Sequence, residues 1–103
     1  MVVVGGTTSV DVDGVVVGDN LYEQTVEIFS KLAHELGRVG ASLEDVVQTR
    51  AYVTDISRAD EVGRAHGEAF GVARPAMTMV EVSALIDPRM LVEIEVLAVV
   101  GEG

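Results

Sequence analysis

Alternation of apolar and polar positions is sharpest near the C-terminal end of the chain, in Leu91-Val92-Glu93-Ile94-Glu95-Val96-Leu97-Ala98-Val99-Val100. Successive side chains of a strand point to opposite faces. Val92, Ile94, Val96, Ala98 and Val100 then form one wholly apolar face, while Leu91, Glu93, Glu95, Leu97 and Val99 form a mixed one. A face turned to solvent has no need of these large aliphatic residues, and a monomer core does not hold carboxylates. The mixed face reads as an assembly surface with a polar pocket set into it. A second strand-like run, Pro75 to Val82, precedes it and is expected to meet it across a short turn at Asp87-Pro88. Pro75 opens that run, where a missing N–H is tolerated.

The remaining pattern predicts a mixture of strands and helices. Met1 to Val4 reads as a strand, and Asp13-Gly14 as a tight turn from Ser9–Val12 into a second strand at Val15–Val17. Asn20 is a candidate N-cap, with Glu23 completing a capping box. Leu21, Ile28, Phe29, Leu32 and Leu36 recur at helical spacing, giving a helix over about 20–37 that ends at Gly37 or Gly40. Val46 to Thr54 follows as a strand, with Val47, Thr49, Ala51 and Val53 on one face and Gln48, Arg50, Tyr52 and Thr54 on the other. Ser57 is read as the cap of a second helix over about 58–70, with Asp60 and Glu61 in its first turn and Gly71 closing it. The order strand, strand, helix, strand, helix, strand, strand gives an α+β class: a mixed sheet with both helices on its apolar face. No repeat, linker or low-complexity tract divides the chain, so residues 1–103 read as a single domain.

Composition narrows the function. A chain of 103 residues buries only about 60–65% of its unfolded surface, so self-association is an expected source of extra stability. Apolar residues make up 49% of the chain and aromatic ones 4%, so the core is aliphatic. Zero cysteines remove disulfides, thiolate metal sites and cysteine nucleophiles together, and favour a cytoplasmic location. Seven basic residues stand against 17 acidic ones for a net charge of −10. With no basic run, a nucleic-acid partner is not expected, because phosphate backbones are gripped by clustered cations. No apolar run approaches the roughly 20 residues that span a bilayer, and no basic region of a signal peptide is visible.

Several residues carry candidate chemistry. Glu93, on the mixed face, is read either as a proton handler or as an interface carboxylate; Glu95 is read as structural. Gly5-Gly6-Thr7-Thr8 lacks the lysine and helix of a phosphate-binding loop, and Gly6 serves either a pocket wall or a close subunit contact. Met77 and Met79 offer soft apolar surface to a pocket or to the core. Asp11 and Asp13 belong to a hairpin turn rather than a calcium loop. His34 and His66 lie on different helices without partnering carboxylates, are expected at exposed positions, and support no metal site.

The junction residues together resemble the RidA family, the YjgF-type reactive-intermediate and imine deaminases also grouped as endoribonuclease L-PSP-like proteins. The likeness rests on Gly6-Thr7, Glu23-Gln24-Thr25, Gly40 through Val47, Tyr52-Val53-Thr54-Asp55, Arg74-Pro75-Ala76 and Val92-Glu93-Ile94-Glu95, all in consistent order. The resemblance implies a chorismate-mutase-like fold, a homotrimeric barrel, and a ligand pocket at each subunit interface. It implies hydrolysis of small enamine or imine metabolites without a cofactor, Glu93 holding or activating the attacking water. Gly6, Thr7, Met77, Thr78 and Met79 then wall the pocket. In the family an arginine after Pro-Ala clamps the substrate carboxylate; here that position is Met77. A thioether cannot replace a bidentate guanidinium contact, which leaves Arg74 and Arg64 as possible clamp substitutes. A non-catalytic trimer that binds a metabolite or a protein is the alternative reading, and an endoribonuclease the third.

Overall fold

Helical spacing of apolar residues places two helices against one side of a sheet in the computed structural model, which describes residues 1–71 and 74–100. Helix α1 (Leu21–Arg38) begins where the Asn20 side chain accepts the Glu23 N–H, and it buries Leu21, Ile28, Phe29, Leu32 and Leu36. The Glu23 carboxylate accepts from the N–H of Asp19 rather than Asn20, so the reciprocal cap is displaced by one residue. Helix α2 (Ala59–Phe70) buries Val62, Ala65, His66 and Phe70. Its approach differs from expectation. Asp55, not Ser57, is the capping side chain: it accepts the Ser57 N–H at the head of a short 3-10 turn, Ile56–Arg58, and α2 starts after that turn without a side-chain cap.

The sheet has four strands, β1 (Val2–Thr7), β2 (Val46–Val53), β3 (Ala76–Glu81) and β4 (Val92–Ala98), in the spatial order β1-β4-β2-β3. β4 runs antiparallel to both β1 and β2, and β3 runs parallel to β2. The expected meeting of the two C-terminal runs across a turn does not occur, because β2 lies between β3 and β4. Helix α2 joins β2 to β3, and such a crossover makes the pair parallel. The strand expected at Val15–Val17 reduces to one bridge between Val10 and Val16. The turn at Asp13-Gly14 is present, with Gly14 at φ +81° and the Asp11 side chain accepting from the N–H of Asp13 and Val15. The adjoining segment is fastened to α1 by Lys31, whose ammonium donates to the carbonyls of Thr8 and Val10.

The core lies between the helices and one face of the sheet. Ile28, Leu32, Leu36, Val53, Val62, Val92 and Ile94 are all at most 1% exposed, and full burial of such a side chain contributes about 1.5–3 kcal/mol. Strand β4 supplies Val92, Ile94, Val96 and Ala98 to this side, as its alternation predicts. Strand β2 departs from simple alternation at its start. A register shift between Val46 and Gln48 opposite β4 turns Val46 inward and leaves Val47 on the exposed side, the usual effect of a bulge on parity. Among the described residues no helix is long and apolar enough to cross a membrane.

His66 corrects another expectation, for it is 4% exposed rather than on the surface. It continues the inward stripe of Val62, Ala65 and Phe70, lies edge-on to Phe29, and shares a 3.1 Å hydrogen bond with the Thr49 hydroxyl. Burial, and secondarily the charge of Arg74, hold its pKa below the usual imidazole range. The folded state thus resists a proton that the unfolded chain accepts below about pH 6.5. His66 therefore penalises folding increasingly as pH falls from about 7 to 5. In thermal melts across that range the wild type should lose more stability than His66→Gln, which keeps a polar partner for Thr49. Parallel profiles for the two proteins would contradict this.

Candidate functional site

The helices cover one face of the sheet, and the other face carries the residues of interest. Val92 and Ile94 point into the core, so Glu93, Glu95 and Leu97 of β4 point away from it. Opposite them on β2 stand Tyr52, paired with Glu93, and Arg50, paired with Glu95. On the far side of β2, Arg50 pairs with Thr78 and Tyr52 with Val80. Val3 of β1, 68% exposed, completes a surface that mixes large aliphatic side chains with carboxylates and one guanidinium.

Gly6 and Glu93 meet closely. The ladder between β1 and β4 shifts register between Val4 and Thr7, leaving Gly5 and Gly6 in a bulge. A Cβ at Gly6 would lie 1.8 Å from Glu93 Oε1, so the carboxylate occupies space that any other residue would fill. Thr7 closes the bulge, its hydroxyl donating to the carbonyl of Gly5. Glu95 is held differently: Tyr52 Oη donates to its Oε1 at 2.7 Å, and Arg50 Nη1 lies 3.6 Å from the same oxygen. The bond to Glu95, with desolvation added, raises the Tyr52 pKa and keeps the phenol a proton donor. Beside this network a recess of about 260 Å³ is lined by Val3, Gln48, Arg50, Glu95, Val96 and Leu97.

The remaining candidates are distributed over both sides of the sheet. Thr78 shares the open face through its pairing with Arg50. Met77 and Met79 pair with the buried Thr49 and Ala51 and pack partly buried against the core. Within one chain they therefore do not stand beside Glu93. Arg64 lies over the Tyr22 ring, 3.8 Å from its centroid, in the helical layer. Arg74 donates to the Gly71 carbonyl and lies against Gly67 of α2. Neither cation shares the face of Glu93. The network of Tyr52, Glu95 and Arg50 was within reach of the strand parity, which puts Arg50 and Tyr52 opposite Thr49 and Ala51; the missing information was that β2 and β4 are neighbours.

Comparison with known proteins agrees with this architecture. Residues 1–100 match the family described as Endoribonuclease L-PSP. The chain is similar to a crystal structure from Mycobacterium tuberculosis of a member of the YjgF/YER057c/UK114 family, with 51% identity, a TM-score of 0.86, and coverage of 95% of this chain and 77% of that one. It is 37% identical over 100 residues to an uncharacterized protein of Streptomyces coelicolor, covering 97% of this chain and 75% of the relative. It is 34% identical over 97 residues to a RutC family protein of Pyrococcus abyssi, covering 92% and 75%. In fold and in sequence across nearly its whole length, the chain belongs to the endoribonuclease L-PSP family, the RutC, YjgF or RidA group.

Proposed function

We propose that this protein is a homotrimer that binds a small imine, enamine or carbonyl metabolite in pockets between subunits and hydrolytically deaminates the imine or enamine. The observation that carries the proposal is the Glu93 carboxylate seated against Gly6 on the one sheet face the helices leave bare. An exposed sheet face with Val3, Leu97 and Val80 among its residues favours burial against another copy. Edge strand β3 carries Met77, Thr78 and Met79 to the rim, where a neighbouring subunit brings them toward its own Gly6, Thr7 and Glu93. Zero cysteines suit a cytoplasmic setting.

In this reading Glu93 accepts a proton from a water that attacks the imine carbon, and the proton passes to the departing nitrogen. The C=N bond is replaced by C=O, with water consumed and ammonia released, and no cofactor takes part. Met77 supplies no charge to a substrate carboxylate, which favours the second reading, a trimer that binds a metabolite without turning it over. Ribonuclease activity ranks third: the net charge of −10 repels a phosphate backbone.

Sedimentation equilibrium at micromolar concentration should give three times the chain mass, and Leu97→Asp should dissociate the assembly. A monodisperse wild-type monomer would refute it. In a coupled assay of 2-aminoacrylate-type imines, Glu93→Ala should lower the rate by roughly 10²-fold or more, and Met77→Arg should raise it on carboxylate-bearing substrates. Wild-type turnover unaffected by Glu93→Ala removes the mechanism; a metabolite that raises Tm without any turnover supports the binding reading instead.

Gly6→Ala tests the geometry of the carboxylate. The clashing atom is the end of a flexible side chain, so the variant should fold with a Tm close to wild type while Glu93 swings away and turnover falls. An unchanged Glu93 position in a crystal structure of Gly6→Ala would contradict the contact.

A further inference from the structure

Met77 offers no charge to a ligand anion, which leaves open which group receives one. The seven basic residues of the chain all lie in its described part, and six are engaged away from the open face. Lys31 holds the carbonyls of Thr8 and Val10, and Arg38 pairs with Glu35. Arg58 pairs with Glu61, Arg89 with Asp87, Arg64 stacks on Tyr22, and Arg74 bonds to Gly71. Arg50 alone projects from the outer face of the sheet, in register between Glu95 and Thr78.

Arg50 is also incompletely satisfied. Its contact with Glu95 is 3.6 Å long, beyond the roughly 2.7–2.9 Å of a charge-assisted hydrogen bond, and its side chain is 55% exposed. The shorter bond to Glu95 comes from Tyr52, so most of the guanidinium's five donors remain for a ligand. The recess beside it adds the Gln48 carboxamide and apolar walls from Val3 and Leu97. One rung along the sheet is Glu93, opposite Tyr52. Diagonal neighbours in such a ladder stand about 7–8 Å apart, the span of a small molecule with an anionic end and a reactive end.

We propose that Arg50, assisted by Gln48, is the carboxylate-recognition residue of this chain, so that the recess takes small monocarboxylates with a short apolar segment against Val3 and Leu97. The anionic contact comes from β2 instead of from position 77 on β3. This assignment rests on the proposed use of the open face for ligand binding, and it adds the residue that selects the ligand's charge.

The test is titration of the assembled protein with propionate and with its uncharged analogue propionamide at constant ionic strength, followed by calorimetry and by the NMR signal of the Arg50 Nε–H. Propionate should shift that signal and bind more tightly than propionamide. Arg50→Gln should weaken propionate binding roughly tenfold or more, with Arg50→Lys intermediate and Arg74→Gln unchanged. Wild type that does not distinguish the two probes, an Arg50→Gln variant that binds like wild type, or a loss that appears in Arg74→Gln would overturn the assignment. So would a fall in oligomer mass on Arg50→Gln without selective loss of propionate, which would make Arg50 an intersubunit ion-pair partner. Turnover of imines reports separately on Glu93. Arg50-dependent propionate binding in a protein with no turnover keeps this assignment and removes the hydrolytic reading; turnover indifferent to Arg50→Gln does the reverse.

Discussion

Strand β4 has to satisfy two surfaces at once, and the rest of the structure depends on how it does so. It is an inner strand, hydrogen-bonded to β1 on one edge and β2 on the other. Val92, Ile94, Val96 and Ala98 close the core beneath α1 and α2, while Glu93, Glu95 and Leu97 stand on the opposite face. A slip of one residue in register would put two carboxylates into the aliphatic core, at a cost of several kcal/mol each. The hydrophobic side of β4 therefore determines where its acidic side must be. Position and chemistry of the candidate site follow from packing, before any ligand is considered.

Each of the two carboxylates is then individualised by its neighbours. Glu95 is tied to the Tyr52 phenol and lies near Arg50, an arrangement that keeps its charge compensated on a half-exposed surface. Glu93 has no such tether among the described hydrogen bonds and instead fills the space left by the absent side chain of Gly6. The bulge of β1 makes that approach possible, because an extra residue in one strand lets its backbone lean toward the partner's side chain. Two acidic residues of identical parity thus acquire different surroundings: one is tied to a phenol and a guanidinium on the neighbouring strand, and the other rests against a glycine. The same face carries the only outward-facing cation of the sheet, Arg50, so an acid, a phenol and a guanidinium lie within neighbouring rungs.

Much of this was legible in the residues, and the failures have physical causes. Helical spacing located α1 to within a residue at each end, and alternation along β4 assigned both of its faces. The family resemblance carried the fold, and the matches to known proteins agree with it. Strand pairing was not legible: alternation reports which way a side chain points and is silent on which strand lies beside it. That is why alternation alone brings β3 and β4 together although β2 separates them, and why it does not set Arg50 beside Glu93. Val47 was misplaced because a bulge changes parity without changing composition. His66 was expected on the surface because of its polarity, although its position on the stripe with Val62, Ala65 and Phe70 is the better guide. Packing against Phe29 and the bond to Thr49 offset the cost of burying it.

In the proposed assembly the bare sheet face is covered by other copies of the chain and Glu93 works in the seam. Hydroxyl-radical footprinting of the wild-type protein at micromolar concentration tests this residue by residue. Val3, 68% exposed, and Val80, 43% exposed in the single chain, lie on that face, whereas Val12 and Ile86, at 101% and 92%, lie on loops outside the sheet. Val3, Val80 and Leu97 should be protected while Val12 and Ile86 react freely. Modification of Val3 and Val80 in proportion to their single-chain exposure, at the same rate as the loop residues, would contradict it.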